Sequence, residues 1–164
     1  MTQIRSTMVA LGLAGAAVAA FTVMAQEPKM DRSQDAAWHN AQQAALAERA
    51  ADSDWNSMDG GLLWRRTGGD GTGPKPDPSD TVTVHYAGTF IDGTGFDSSY
   101  DRGQPATFPL GGLIPAWQMA IPQMGVGDTI EIASPADLAY GPMGKGPIPG
   151  GATLLFKVEL IAIK

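Results

Sequence analysis

The chain has no cysteine, which excludes disulfide staples, thiolate nucleophiles and redox chemistry together and leaves a packed core as the source of stability. Histidine is almost as scarce. His39 and His85 are the only two and stand in unrelated contexts, so no Ser-His-Asp arrangement is easy to assemble and no zinc-ligand spacing exists. No metal is expected. Basic residues are the minority charge: 11 Lys and Arg against 17 Asp and Glu give a formal charge of −6. Without clustered cations to displace phosphate counterions, nucleic acid is not an expected partner. Aromatic residues make up only 7%, and no row of them accompanies Asp97 and Asp101, two carboxylates too close in one loop for glycoside hydrolysis. Phosphate loops are missing too. GPMGKGP lacks the Walker spacing and the Ser or Thr after its lysine, and GGDGTG is followed by no helical pattern.

What is present divides the 164 residues into three parts. Residues 1–25 read as a secretory signal, with Arg5 near the start, an apolar run from Met8 to Met24, and small or aliphatic residues at Val23 and Ala25 before cleavage. The alternative is an uncleaved inner-membrane anchor, against which stands the shortness of the run beside the ~20 apolar residues a spanning helix needs. Export, most simply to a periplasm, follows from the first reading. Residues 26–59 form an extension in which DAAWHNAQQAALAERAA has strong helix propensity. Its apolar stripe, Trp38, Ala41, Ala45 and Leu46, is thin. Two roles stay open for it: a tether or weakly docked helix, and a dimerisation segment.

From residue 60 to 164 the texture changes to short apolar runs broken by Gly and Pro, as in antiparallel strands and turns. Leu62 to Arg66 reads as a first strand. In Thr81 to Tyr86 strict alternation puts Val82, Val84 and Tyr86 on one face, with His85 on the other. Asp92-Gly93 signals a hairpin, and FDSSYDR, residues 96–102, begins the return limb, its Ser98 to Asp101 reading as solvated loop. Thr129 to Ala133 and Ala152 to Leu160 add two strands, the latter burying Leu154, Phe156, Val158 and Leu160. The one helix candidate in this part is PAWQMA, residues 115–120, with Pro suited to a first turn and Pro122 limiting its length. The fold class is α+β: an antiparallel sheet closed over one short helix.

Gly71-Thr72-Gly73 with Lys75-Pro76, then VTVHYAG, DGTGFDSS, LIPAW, MGVGD, LAYG and IPGGATLLFKVEL follow one another in order. Together these strings resemble the FKBP-type peptidyl-prolyl cis-trans isomerases of the exported bacterial kind, over about residues 61–164. The resemblance implies a strongly twisted antiparallel sheet wrapped around a short helix, with substrate proline inserted between them. It implies Trp117 as the floor of the pocket, with Tyr86, Phe96 and Phe156 as aromatic walls. Leu113 and Ile114 precede the helix, the Ile114 N–H donating to a substrate carbonyl. By the same likeness Tyr140 bonds the carbonyl of the isomerising amide, Asp97 is the pocket aspartate, Arg102 is its supporting partner, and Ile148 is the apolar residue of the flap loop. Phe108 joins the substrate-binding set. Phe108, Phe156 and Trp117 would serve equally as core of any such sheet; the phenols of Tyr86 and Tyr140 and the Asp97 carboxylate are what packing alone does not call for.

The implied activity is cofactor-free catalysis of rotation about X-Pro bonds in exported protein or peptide substrates, with macrolide immunosuppressants as further ligands and a monomer favoured. The alternative is a proline-segment-binding chaperone or scaffold of the same fold without turnover. Two departures bear on that choice. Ala106 stands where the family commonly has an aromatic, and Pro147 stands beside Ile148 in place of a second apolar side chain.

Overall fold

The computed structural model describes Arg32 and residues 34–164. The expected leader and the first part of the extension lie outside the described residues. Helix α1 spans Ala36–Ala50, capped at its N-terminus by Asp35, whose side chain accepts the Trp38 N–H, as short polar residues before a first turn do. The strands follow: β1 (Asn56–Ser57), β2 (Leu63–Gly68), β3 (Thr81–Phe90), β4 (Gly95–Ser98) and β5 (Ala106–Pro109), then helix α2 (Pro115–Ala120), β6 (Thr129–Ser134) and β7 (Leu154–Ile163). All seven strands join one antiparallel sheet in the order β1-β2-β6-β7-β3-β4, with β5 also on β3.

Strand β3 is the axis of the sheet. On one side it pairs with β7 from Val82↔Ile163 to Phe90↔Leu154. On the other, β5 covers Thr81 to Val84 and β4 covers Ala87 to Thr89, so β4 and β5 are two halves of one edge strand interrupted by residues 99–105. The period-2 pattern decides what each strand buries: Val82, Val84, Tyr86 and Gly88 of β3 point inward, and Leu154, Phe156, Val158 and Leu160 of β7 do the same. Helix α2 supplies the cover. Pro115 opens it without forfeiting a hydrogen bond, and Ala116, Trp117 and Ala120 are buried against Val84, Tyr86, Ile130, Ile132 and Phe156 in a single core.

Five expectations change. The first strand starts one residue later than read and reaches Gly68, and β7 is displaced two to three residues towards the C-terminus. Strand β5 was not foreseen. In α1 the docked face keeps Trp38, Ala45 and Leu46 of the apolar stripe, each half-buried, but Ala41 is exposed and the most buried residue is Gln42, 2% exposed, because the surface it meets offers a backbone N–H that requires an acceptor. Finally, Ser99 is fully buried rather than solvated, and Tyr100 stacks on His85 at 4.6 Å between ring centroids.

Candidate active site

A cleft of about 190 Å³ opens between α2 and the inner face of the sheet, lined by Tyr86, Phe96, Asp97, Phe108, Leu113, Ile114, Trp117, Tyr140 and Phe156. Trp117 is its floor. Three rings stand nearly upright around the indole: Tyr86 at 5.2 Å and 80°, Phe156 at 5.5 Å and 87°, and Phe108 at 6.4 Å and 75°. Phe96 extends the wall by meeting Phe156 edge-on at 5.8 Å. Edge-to-face contacts of this kind stabilise by about 0.5–1.5 kcal/mol each beyond burial, so the box is held open by its own quadrupoles. Local sequence accounts for these walls: Tyr86 and Phe156 occupy inward positions of the long strands, Tyr86 opposite Val158 and Phe156 opposite Gly88 two residues further along β3, and Phe96 is brought in by the Asp92-Gly93 reversal, Gly93 having φ +86°.

One side of this box is polar. The Tyr86 hydroxyl donates to Asp97 Oδ2 at 2.6 Å, Arg102 Nη2 donates to the Tyr86 oxygen at 2.8 Å, and Arg102 Nη1 pairs with Asp97 Oδ1. Partial burial pushes the Asp97 carboxyl up, but the Tyr86 hydroxyl, the Arg102 hydrogen bond and the Arg102 charge outweigh it and hold the group below the usual carboxylate value. Burial first, and the Asp97 carboxylate second, push the Tyr86 phenol up; burial and the Asp97 charge do the same to Tyr140. The Tyr140 hydroxyl and the Ile114 N–H make no hydrogen bond with the described residues, and the indole N–H of Trp117 is buried without an acceptor among them. Donors, an apolar floor and an ionised carboxylate therefore converge on one small volume.

Nine of the eleven site residues expected from the sequence line the cleft. The two others do not. Arg102 stands outside the lining and touches it only through Asp97 and Tyr86. Ile148 is buried in the core and forms a bridge with Lys145 inside the flap, outside the cleft lining. Sequence reasoning missed Ser99, whose hydroxyl oxygen accepts the Tyr86 N–H at 2.8 Å, lies 2.9 Å from His85 Nδ1 and 3.2 Å from the Tyr86 carbonyl. Ser99 thus fixes the strand segment that presents Tyr86. No period-2 signal marks it, because Ser99 falls on the exposed phase of β4 within a run of polar residues.

A larger cleft, about 470 Å³, lies on the outer face of the sheet between α1 and strands β2, β6, β7 and β3. Its lining mixes Glu48, Arg49, Asp52, Arg65, Glu131 and Lys157 around Trp55, and Arg65 and Glu131 are already paired at 2.7 Å. Balanced surface charges of this kind do not converge on a reacting group, whereas the smaller cleft combines an apolar floor with directed donors.

Residues 73–161 match the FKBP-type peptidyl-prolyl cis-trans isomerase family. The chain is 54% identical over 94 residues to the FKBP-type peptidyl-prolyl cis-trans isomerase FkpA of Aeromonas hydrophila, covering 57% of this chain and 35% of that protein. It is 55% identical over 95 residues to the outer membrane protein MIP of Legionella longbeachae, covering 57% and 41%. The crystal structure of a peptidyl-prolyl cis-trans isomerase from Pseudomonas syringae pv. tomato superposes with a TM-score of 0.72 at 35% identity, over 78% of this chain and 94% of that one. The chain belongs to the FKBP-type peptidyl-prolyl cis-trans isomerase family. It spans about two-fifths or less of the length of these two curated relatives.

Proposed function

We propose that the protein catalyses cis-trans isomerisation of X-Pro bonds in peptide or protein substrates. The observation that carries this reading is the box of upright rings over Trp117 with the Tyr86–Asp97–Arg102 network on its rim. A proline ring resting on the indole is held by apolar contact on four sides. The chain beyond it is then free to rotate. The barrier to that rotation, about 18–20 kcal/mol, comes from amide resonance, which gives the planar ground state its polarity. A cleft poor in water disfavours that polar planar form, while walls shaped for the twisted amide favour the transition state; both are differential binding. The Ile114 N–H and Tyr140 hydroxyl supply directed donors for the flanking carbonyls. No nucleophile is needed.

A protease-coupled assay on X-Pro tetrapeptides tests the reading. Wild-type protein accelerates isomerisation above the spontaneous rate, and Trp117→Leu and Asp97→Val each lower kcat/KM by about tenfold or more with the fold retained by circular dichroism. A second reading, a non-catalytic module that only holds proline segments, draws on Ala106, which stands where the family resemblance calls for an aromatic ring. Saturable peptide binding without acceleration is its signature. The cleft also suits a macrolide immunosuppressant, measured as competitive inhibition of the same assay.

Export is the companion proposal, supported by the charge and apolar pattern of residues 1–25 and by the outer-membrane name of one relative. N-terminal sequencing of protein from the periplasmic fraction then begins at Gln26. Among the described residues no helix is long and apolar enough to cross a membrane. A monomer is the proposed state, since α1 packs on its own domain; sedimentation reads it directly.

A further inference from the structure

The loop from Tyr140 to Gly151 leads from the cleft residue Tyr140 back towards β7 and contains five glycines and three prolines. Within the loop the Gly144 N–H donates to the Tyr140 carbonyl at 3.0 Å and Ile148 is buried, while its glycines leave the remaining backbone less restricted. Its two legs are tied by the Gly151 N–H donating to the Gly141 carbonyl at 3.0 Å, next to Tyr140. Beyond Ile148, the return leg is braced by α1. The Thr153 N–H donates to Gln42 Oε1 at 2.8 Å, and the Thr153 hydroxyl donates to the Gln42 carbonyl at 3.3 Å. Both residues are almost completely buried. His39, one turn earlier, lies so close to Gly151 that a methyl there would fall 2.9 Å from His39 Cε1, and Gly151 has φ +75° besides.

A buried glutamine on an alanine-rich helix is an odd choice for stability alone. Leucine would gain more from burial, and the Nε2 group of Gln42 and the indole N–H of Trp38 are both buried without an acceptor among the described residues. The one need Gln42 meets is that of Thr153, which sits just before β7 and so outside the sheet ladder. We infer that Gln42 is a positioning residue for the reaction: α1 clamps the return leg of the flap through Thr153 and Gly151, and thereby holds Tyr140 over the cleft. This rests on the isomerase reading. Gln42 is not among the residues lining the cleft and its hydrogen bonds go to Thr153, so its effect passes through the flap and is felt in substrate binding rather than in the rotation step.

The test uses the full chain. Gln42→Met keeps the length of the side chain and removes the acceptor. With an X-Pro tetrapeptide, KM is expected to rise at least about threefold while kcat stays within about twofold, and amides of residues 141–151 exchange hydrogen about tenfold faster with those of β3 and β6 unchanged. Gln42→Glu, which retains an oxygen for the Thr153 N–H, restores both. An unchanged KM in the Met variant, or equal impairment of Met and Glu variants, overturns the inference. Should Gln42→Met fail to fold, His39→Ala, which removes only the ring against Gly151, carries the same expectations. If wild-type protein does not accelerate isomerisation, the isomerase reading fails by itself, and unaltered exchange at residues 141–151 then overturns the clamp.

Discussion

Ser99 illustrates how much of the pocket depends on a residue that never enters it. Its single oxygen accepts the Tyr86 N–H at 2.8 Å inside the protein, where no water replaces a lost partner. Ser99→Ala leaves that donor stranded, which costs about 1–3 kcal/mol; urea titration is expected to show the midpoint falling with an unchanged slope. Gly88 is the converse case, a position where nothing can be added. A methyl there would lie 2.5 Å from Phe96 Cζ and 3.2 Å from Phe156 Cε1, so Gly88→Ala tilts the wall between them. Because misplacement by about an ångström can cost up to a hundredfold in rate, kcat/KM is expected to fall at least tenfold while the strand remains formed. A rate close to wild type would mean that Phe96 is no part of the working wall.

At the scale of elements, what alternates was legible and what depends on a distant partner was not. Val82, Val84 and Tyr86 of β3, and Leu154 to Leu160 of β7, declared their buried face through period 2, and PAWQMA announced α2 by its leading proline. Strand β5 was silent because it is four residues long, ends in Pro109 and exists only as the second half of an edge on β3. The aromatic and acidic members of the cleft were legible through family strings, whereas Ser99 and Gln42 were not, since each looks like an ordinary polar surface residue until its buried acceptor role is seen. Asp128 belongs with them. It accepts the N–H groups of Gly125 at 2.8 Å and Gly71 at 3.1 Å, and Arg66 Nε at 3.1 Å, joining the loop after β2 to the turn before β6. Removing a nearly buried carboxylate leaves both amides and the Arg66 Nε without their acceptor, Arg66 keeping only its Nη2 hydrogen bond to the Gln123 carbonyl at 3.1 Å, so Asp128→Ala is expected to destabilise by on the order of 3 kcal/mol. Chemical denaturation measures it, and a change below about 0.5 kcal/mol would remove the clasp from the account.

For the whole molecule, pH separates stability from catalysis. The carboxyls of Asp97 and Asp128 both lie below the usual 3.8 in the folded protein: burial opposes this in each, but hydrogen bonds and the neighbouring arginine prevail. A carboxyl depressed on folding stabilises the native state fully above its unfolded value, and that contribution is lost as pH falls through the depressed one. Stability is therefore expected to be level above about pH 5 and to drop below about pH 4, with Asp128→Asn flatter there than wild type by up to about one proton, or 1.4 kcal/mol per pH unit. Activity follows another rule. Within the cleft Asp97 stays ionised, while Tyr86 and Tyr140 are pushed above the ordinary phenol value of 10.0, and His85 is turned away to Ser99 and Tyr100. With no cleft group titrating between about pH 5.5 and 8.5, kcat/KM on an uncharged X-Pro peptide should be flat across that range; a bell-shaped profile would require a general acid or base and would overturn catalysis by shape and desolvation alone.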